Sequence, residues 1–209
     1  HQIGGIMKIL CDLIQPHIND FLNEQQTITK LGTMKHLLFG PQISQQSVVI
    51  KFGRKFEKLF YQMIEGEQSL KLLPVGIQDF DGKKKDCDLF FLDKDTSVAY
   101  YRELKANLDL DTEKLAATVQ KIQFIDSKLK QMYPDYQINS GVCSYTAWTK
   151  AHLLSASPAM RNKIDKFTQV GLKVDFTKDL FLKMKQNYSK DEWNSFGLWI
   201  GKKITRGVV

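Results

Sequence analysis

The sequence predicts an α/β protein, a mixed β-sheet flanked by α-helices. Three observations predict it: helical apolar spacing over 6–22 and 47–64, a switch to short apolar and aromatic runs between 69 and 106, and a long amphipathic stretch over 112–132 followed by further strand and helix patterns. Helices before and after a strand cluster suit one layered structure. With 209 residues, no internal repeat and no long linker, one domain is expected over 1–209.

Composition narrows the class. Apolar residues make up 43% and charged residues 25%, which excludes wholesale disorder. No run approaches the roughly 18 apolar residues of a membrane-spanning helix, so no membrane partner is expected. Thirty basic residues against 23 acidic ones leave a net charge of +7. That surplus suits a polyanionic partner, and equally a basic chain without one. Cys11, Cys87 and Cys143 are widely spaced, and His1, His17, His36 and His152 do not cluster. Free thiols of an intracellular protein are expected rather than a zinc site or a disulfide framework. Residues His1 to Ile6 lack a cleavable signal pattern, and Met7 is a candidate start.

The elements follow in order. Ile6, Ile9, Leu10, Leu13 and Ile14 mark a first helix, which Pro16 is expected to end or kink. Phe52, Phe56, Leu59, Phe60 and Met63 mark the buried stripe of a second helix that stops near Gly66 and carries Glu57. Leu70 to Ile77 reads as a strand broken by Pro74, and Asp79 to Lys85 as a polar connection. Leu89 to Leu92 and Val98 to Ala106 form a β-hairpin around the turn residues Asp93 to Thr96. A helix capped by Asp111 or Thr112 follows, with Leu115, Val119, Ile122, Ile125, Leu129 and Met132 on one face. Ile138 to Trp148 reads as a strand. Beyond Pro158 come a short helix, a strand near Leu172 to Phe176 and a helix from about Lys178. The last helix opens on Ser189 and Glu192 at capping-box spacing and runs out in Lys202, Lys203 and Arg206.

The chemistry concentrates in the hairpin. Glu103 and Lys105 are two apart and share a face of their strand. A turn centred between Asp95 and Thr96 sets Asp88 opposite Glu103 and Phe90 opposite Tyr101, with Cβ atoms roughly 5 Å apart. Two carboxylates so close repel unless a cation lies between them. Mg²⁺ prefers oxygen ligands and is commonly held by one or two carboxylates. An ammonium beside it suits attack of water on a phosphodiester. The alternative is a solvated rim of charges at a hairpin end.

A helix with an internal Glu, an Asp heading an apolar strand, Glu103-Leu104-Lys105 closing the next strand, and then a long helix resemble the PD-(D/E)xK nuclease superfamily, in particular type II restriction endonucleases. The run from Ala106 to Lys114 is similar to the lead into the next core helix of such enzymes. The resemblance spans about residues 45–148, with 149–209 left as C-terminal helices and strand. Cys87 stands where the signature usually has Pro, which leaves Asp86 as a rival to Asp88. The resemblance implies a restriction-endonuclease-like fold, with Mg²⁺ held by Asp88, Glu103 and the carbonyl of Leu104. It further implies Lys105 at the attacking water and Glu57 as a helix acid near the metal; Glu57 is equally an exposed charge on an apolar helix. Lys83, Lys84 and Lys85 are candidate DNA contacts or a solvated loop. Trp148, Lys150 and His152 are a base-reading segment or core. The function so implied is Mg²⁺-dependent, sequence-specific cleavage of double-stranded DNA leaving 5′-phosphate ends, by a homodimer in a prokaryotic cytoplasm. The rivals are a structure-specific repair or recombination nuclease and a non-catalytic DNA-binding domain.

Overall fold

The computed structural model describes residues 5–24, 30–40 and 45–205. In chain order its elements are α1 (Gly5–Glu24), α2 (Met34–Phe39), α3 (Gln45–Glu65), β1 (Leu70–Leu72), β2 (Gly76–Phe80), β3 (Lys83–Cys87), β4 (Leu89–Asp93) and β5 (Val98–Lys105). Then come α4 (Thr112–Met132), β6 (Gln137–Ser144), α5 (Lys150–Ala156), α6 (Met160–Thr168), β7 (Lys173–Phe176), α7 (Thr177–Lys183) and α8 (Lys190–Ile204). The class is mixed α/β, with a five-stranded mixed sheet and flanking helices. The chain divides into two compact units: His1–Gln62 with Ser189–Val209, and Met63–Tyr188.

The first unit is helical. Leu10, Ile14, Ile18 and Phe21 form the buried stripe of α1. Pro16 neither ends nor interrupts this helix; it lies inside α1 on the exposed side. A proline there costs about 3 kcal/mol. Burying Ile14, Ile18 and Phe21 gains about 1.5–3 kcal/mol each, so packing decides. Edge-to-face contacts join Phe21 to Phe52 at 5.2 Å, Phe52 to Phe56 at 5.5 Å and Phe56 to Trp193 at 5.8 Å. The expected stripe of α3 is buried except for half-buried Phe56. Ser189 and Glu192 form the expected capping box at the head of α8, and Trp193, Phe196 and Ile200 face inward. Lys202 and Lys203 occupy its last turn, while Arg206 lies outside the described residues. No described helix is long and apolar enough to cross a membrane.

The second unit holds the sheet, in the order β1-β4-β5-β6-β7. β1–β4 and β4–β5 are antiparallel; β5–β6 and β6–β7 are parallel. Parallel neighbours need crossovers, supplied by α4 between β5 and β6 and by α5 and α6 between β6 and β7. One sheet face places Phe90, Leu92, Ala99, Tyr101 and Val142 in a core with Leu115, Ile122, Ile125 and Leu129 of α4 and Ile164 and Phe167 of α6. Met132, expected on this face, is exposed at the end of α4.

Three more expectations are corrected. Asp79 to Lys85 is a hairpin, not an irregular connection: β2 and β3 pair as a separate two-stranded ribbon. Its turn is Asp81-Gly82, both at positive φ (55° and 87°), the geometry that matches strand twist. The strand expected to reach Trp148 ends at Ser144. Beyond it, Thr149 caps the unexpected helix α5, accepting from the His152 N–H.

On β5, Arg102 lies on the face opposite Tyr101. It is fully buried; Nε donates to Asp175 Oδ2 at 2.9 Å, Nη1 to the carbonyls of Tyr101 and Asn139, and Nη2 to Asn139 Oδ1. Lys183 also pairs with Asp175 at 3.0 Å. This network ties β5, β6, β7 and α7 together. β6 and β7 meet so closely at Gly141 that a Cβ there would lie 2.1 Å from the Lys173 carbonyl oxygen.

Candidate active site

The hairpin has the expected register. Phe90 pairs with Tyr101 and Leu89 with Arg102, so Asp88 lies one step beyond the last paired residue, against Glu103. Asp88 Oδ2 accepts a hydrogen bond from the Leu104 N–H at 2.9 Å, which fixes the carboxylate at the edge of β5. Alternate residues of a strand turn their main-chain groups to opposite edges. The Lys105 carbonyl accepts from Tyr145 on the β6 side, so the N–H and C=O of Leu104 face the β4 edge, where Asp88 is.

Glu103 is buried, at 4% exposure. The Tyr101 hydroxyl donates to its Oε2 at 3.2 Å. Lys121, from the middle of α4, places Nζ 2.9 Å from Oε1 and 2.8 Å from Oε2. Lys105 Nζ is 3.6 Å from Oε1. Burial works against the charge of Lys121, but Glu103 first and then Asp88 and Asp86 hold its ammonium above the usual lysine range. Burial and the neighbouring Glu103 carboxylate push the Tyr101 phenol far up, so it remains a hydroxyl donor. Burial also pushes the Cys87 thiol up to about 12, with Lys121 opposing and the acids reinforcing.

The donor set fits a small hard cation. Among the described residues no three His, Cys, Asp or Glu side chains gather as one metal-ligand group. The candidate ligands are two carboxylates and the Leu104 carbonyl, all oxygens, the kind Mg²⁺ takes while keeping several waters. Lys121 already holds a positive charge against both oxygens of Glu103, so a metal ion there would have to displace or share that ammonium.

The other expected residues fall as follows. Asp86 is exposed on β3, paired with Ile77 in the ribbon, whereas Asp88 reaches the β5 edge. Glu57 is half-buried on α3 in the first unit. Lys83, Lys84 and Lys85 lie in a strand, so they divide between two faces. Lys83 and Lys85 share the side of buried Cys87 and approach Phe124 of α4, while Lys84 is exposed on the other side. Trp148 is half-buried and packs edge-on against Phe181 at 6.0 Å, and Lys150 and His152 sit on α5.

Lys121 is the residue missed by sequence reasoning. Its signal was present: it flanks the buried stripe of α4, three residues after Thr118 and four before Ile125. A charged residue at the rim of a core-facing stripe either snorkels or meets a buried partner.

No protein-family model matches the sequence, and no curated protein matches it. Among solved structures the chain is similar to protein VC1899 from Vibrio cholerae, with 13% identity and a TM-score of 0.39, over 96% of this chain and 52% of that one. The chain thus spans about half the length of that protein.

Proposed function

We propose that the chain is a Mg²⁺-dependent endonuclease of the restriction type, acting on double-stranded DNA and leaving 5′-phosphate ends, as a homodimer in a prokaryotic cytoplasm. One observation carries this reading: Asp88, Glu103 and Lys105 lie together at one end of the β4–β5 hairpin, in a mixed sheet flanked by helices. Asp88, Glu103 and the Leu104 carbonyl would hold the metal. When bound, Mg²⁺ supplies charge neutralisation at the phosphoryl oxygens and activation of water. Lys105, partly exposed and beside Glu103, orients the attacking water or a phosphate oxygen. The Tyr101 hydroxyl holds the Glu103 carboxylate in place. Lys121 compensates the charge of Glu103 in the metal-free protein.

Digestion of phage genomic DNA with and without Mg²⁺ tests this. Discrete bands that require Mg²⁺ and vanish in Glu103→Ala and Lys105→Ala are expected; equal cutting by both variants removes the site. Cutting that depends on branches or ends would move the reading to a repair nuclease. The bidentate hold of Lys121 on Glu103 favours a second reading, a non-catalytic DNA-binding domain in which that pair is structural. Under it, wild-type protein binds DNA and leaves varied substrates intact with Mg²⁺.

A further inference from the structure

We infer that the surface formed by β3 and the middle of α4 is a phosphate-backbone track for nucleic acid, formed by Lys83, Lys85 and Lys128 around Phe124 and excluding Lys84. The inference rests on the proposed nucleic-acid reading and adds the route by which the strand reaches the acids. Three ammonium groups lie 5.5, 5.8 and 5.8 Å from the centroid of this single ring. The ring itself packs edge-on against Phe80, with centroids 6.0 Å apart. Like charges crowded on one ring repel. A chain of phosphates between them removes the repulsion and releases counterions.

An anion already pairs with one of these lysines. Asp81, at the tip of the β2–β3 turn, accepts from Lys128 Nζ at 2.8 Å although its own side chain is 86% exposed. Its carboxylate stands where a phosphate oxygen would bind. Lys121, Phe124 and Lys128 are spaced i, i+3, i+7 along one side of α4, so the track leads to the lysine that holds Glu103. Seven residues of helix cover about 10 Å. The contacts are to the backbone, so binding here is independent of base sequence and sensitive to salt.

Anisotropy of a fluorescent 20-base-pair duplex, titrated in EDTA at several salt concentrations, tests the track apart from cleavage. The triple variant Lys83→Ala, Lys85→Ala, Lys128→Ala is expected to lose 10-fold or more in affinity. Its salt slope should fall by about 0.9 for each phosphate contact removed. Lys84→Ala should change affinity less than twofold. Asp81→Asn, which keeps a residue tolerant of positive φ at the turn, should tighten binding several-fold. Wild-type slope and affinity in the triple variant, or an equal loss in Lys84→Ala, overturns the track. So does competition by polyglutamate as strong as by DNA, which would reassign the surface to an acidic protein. Duplex binding that follows this pattern without Mg²⁺-dependent cutting supports the track and removes the nuclease. Cutting by wild type with unaltered binding by the triple variant does the reverse.

Discussion

Replacing Lys121 by Met would leave the buried Glu103 carboxylate with the Tyr101 hydroxyl and the more distant Lys105 ammonium. Truncating one partner of a buried pair is more costly than replacing both, because the remaining charge keeps its desolvation penalty. Lys121→Met is therefore expected to lower stability by about 2–3 kcal/mol, and the Lys121→Met, Glu103→Gln double variant by less. Denaturant melts of the three proteins measure this. If Asp88 and Glu103 take a divalent cation, millimolar Mg²⁺ should raise the melting temperature of Lys121→Met more than that of wild type, because the variant lacks the competing ammonium. Equal shifts would show that the acid pair is not where Mg²⁺ binds. The same residue marks the limit of sequence reading. Asp88, Glu103 and Lys105 were legible because strand alternation and hairpin register are local rules. Lys121 comes from a helix packed across the sheet, and the reach of a flexible side chain obeys no sequence period.

At the scale of elements, the β6–β7 step depends on a missing side chain. A Cβ at Gly141 would strike main-chain atoms of Lys173, which cannot rotate away. Gly141→Ala is expected to destabilise by about 1–3 kcal/mol or more, measured by chemical denaturation, with loss of amide protection concentrated in β7. The legibility of elements followed the same physics. The hairpin β4–β5, α4 and α8 were readable from apolar spacing and caps. The ribbon β2–β3 was not, although Asp81-Gly82 is a strong turn signal. Its flanking Lys83-Lys84-Lys85 shows no apolar alternation: the side facing α4 carries the ammonium groups of Lys83 and Lys85 near Phe124. The helix α1 continues through Pro16 for the opposite reason: a local breaker is overruled by tertiary burial.

For the whole molecule, acid should be destabilising in a defined window. Burial opposes ionisation of Asp93, but the bonds from Lys185 and the Asp95 N–H hold its carboxyl below the usual range. Bonds from Lys128 and from the Lys114 N–H do the same for Asp81 and Asp111. The unfolded chain then binds more protons than the folded one, so this stabilisation is present above about pH 4 and lost as pH falls through the lower folded values. Melting temperature is expected to drop between pH 5 and pH 3. Asp93→Asn should melt below wild type at pH 7 and converge with it at the acid end; a gap that persists at pH 3 would assign the effect to shape rather than charge.

The division into two units was not legible, since no linker or composition shift marks it. One unit is continuous in the chain, while the other is assembled from segments on either side of it. During synthesis the sheet unit is therefore complete before α8 leaves the ribosome, while Phe21, Phe52 and Phe56 await Trp193. Nascent chains halted just short of Ser189 would carry a finished sheet and, in the other unit, an open aromatic seam, and such intermediates are the natural clients of a chaperone.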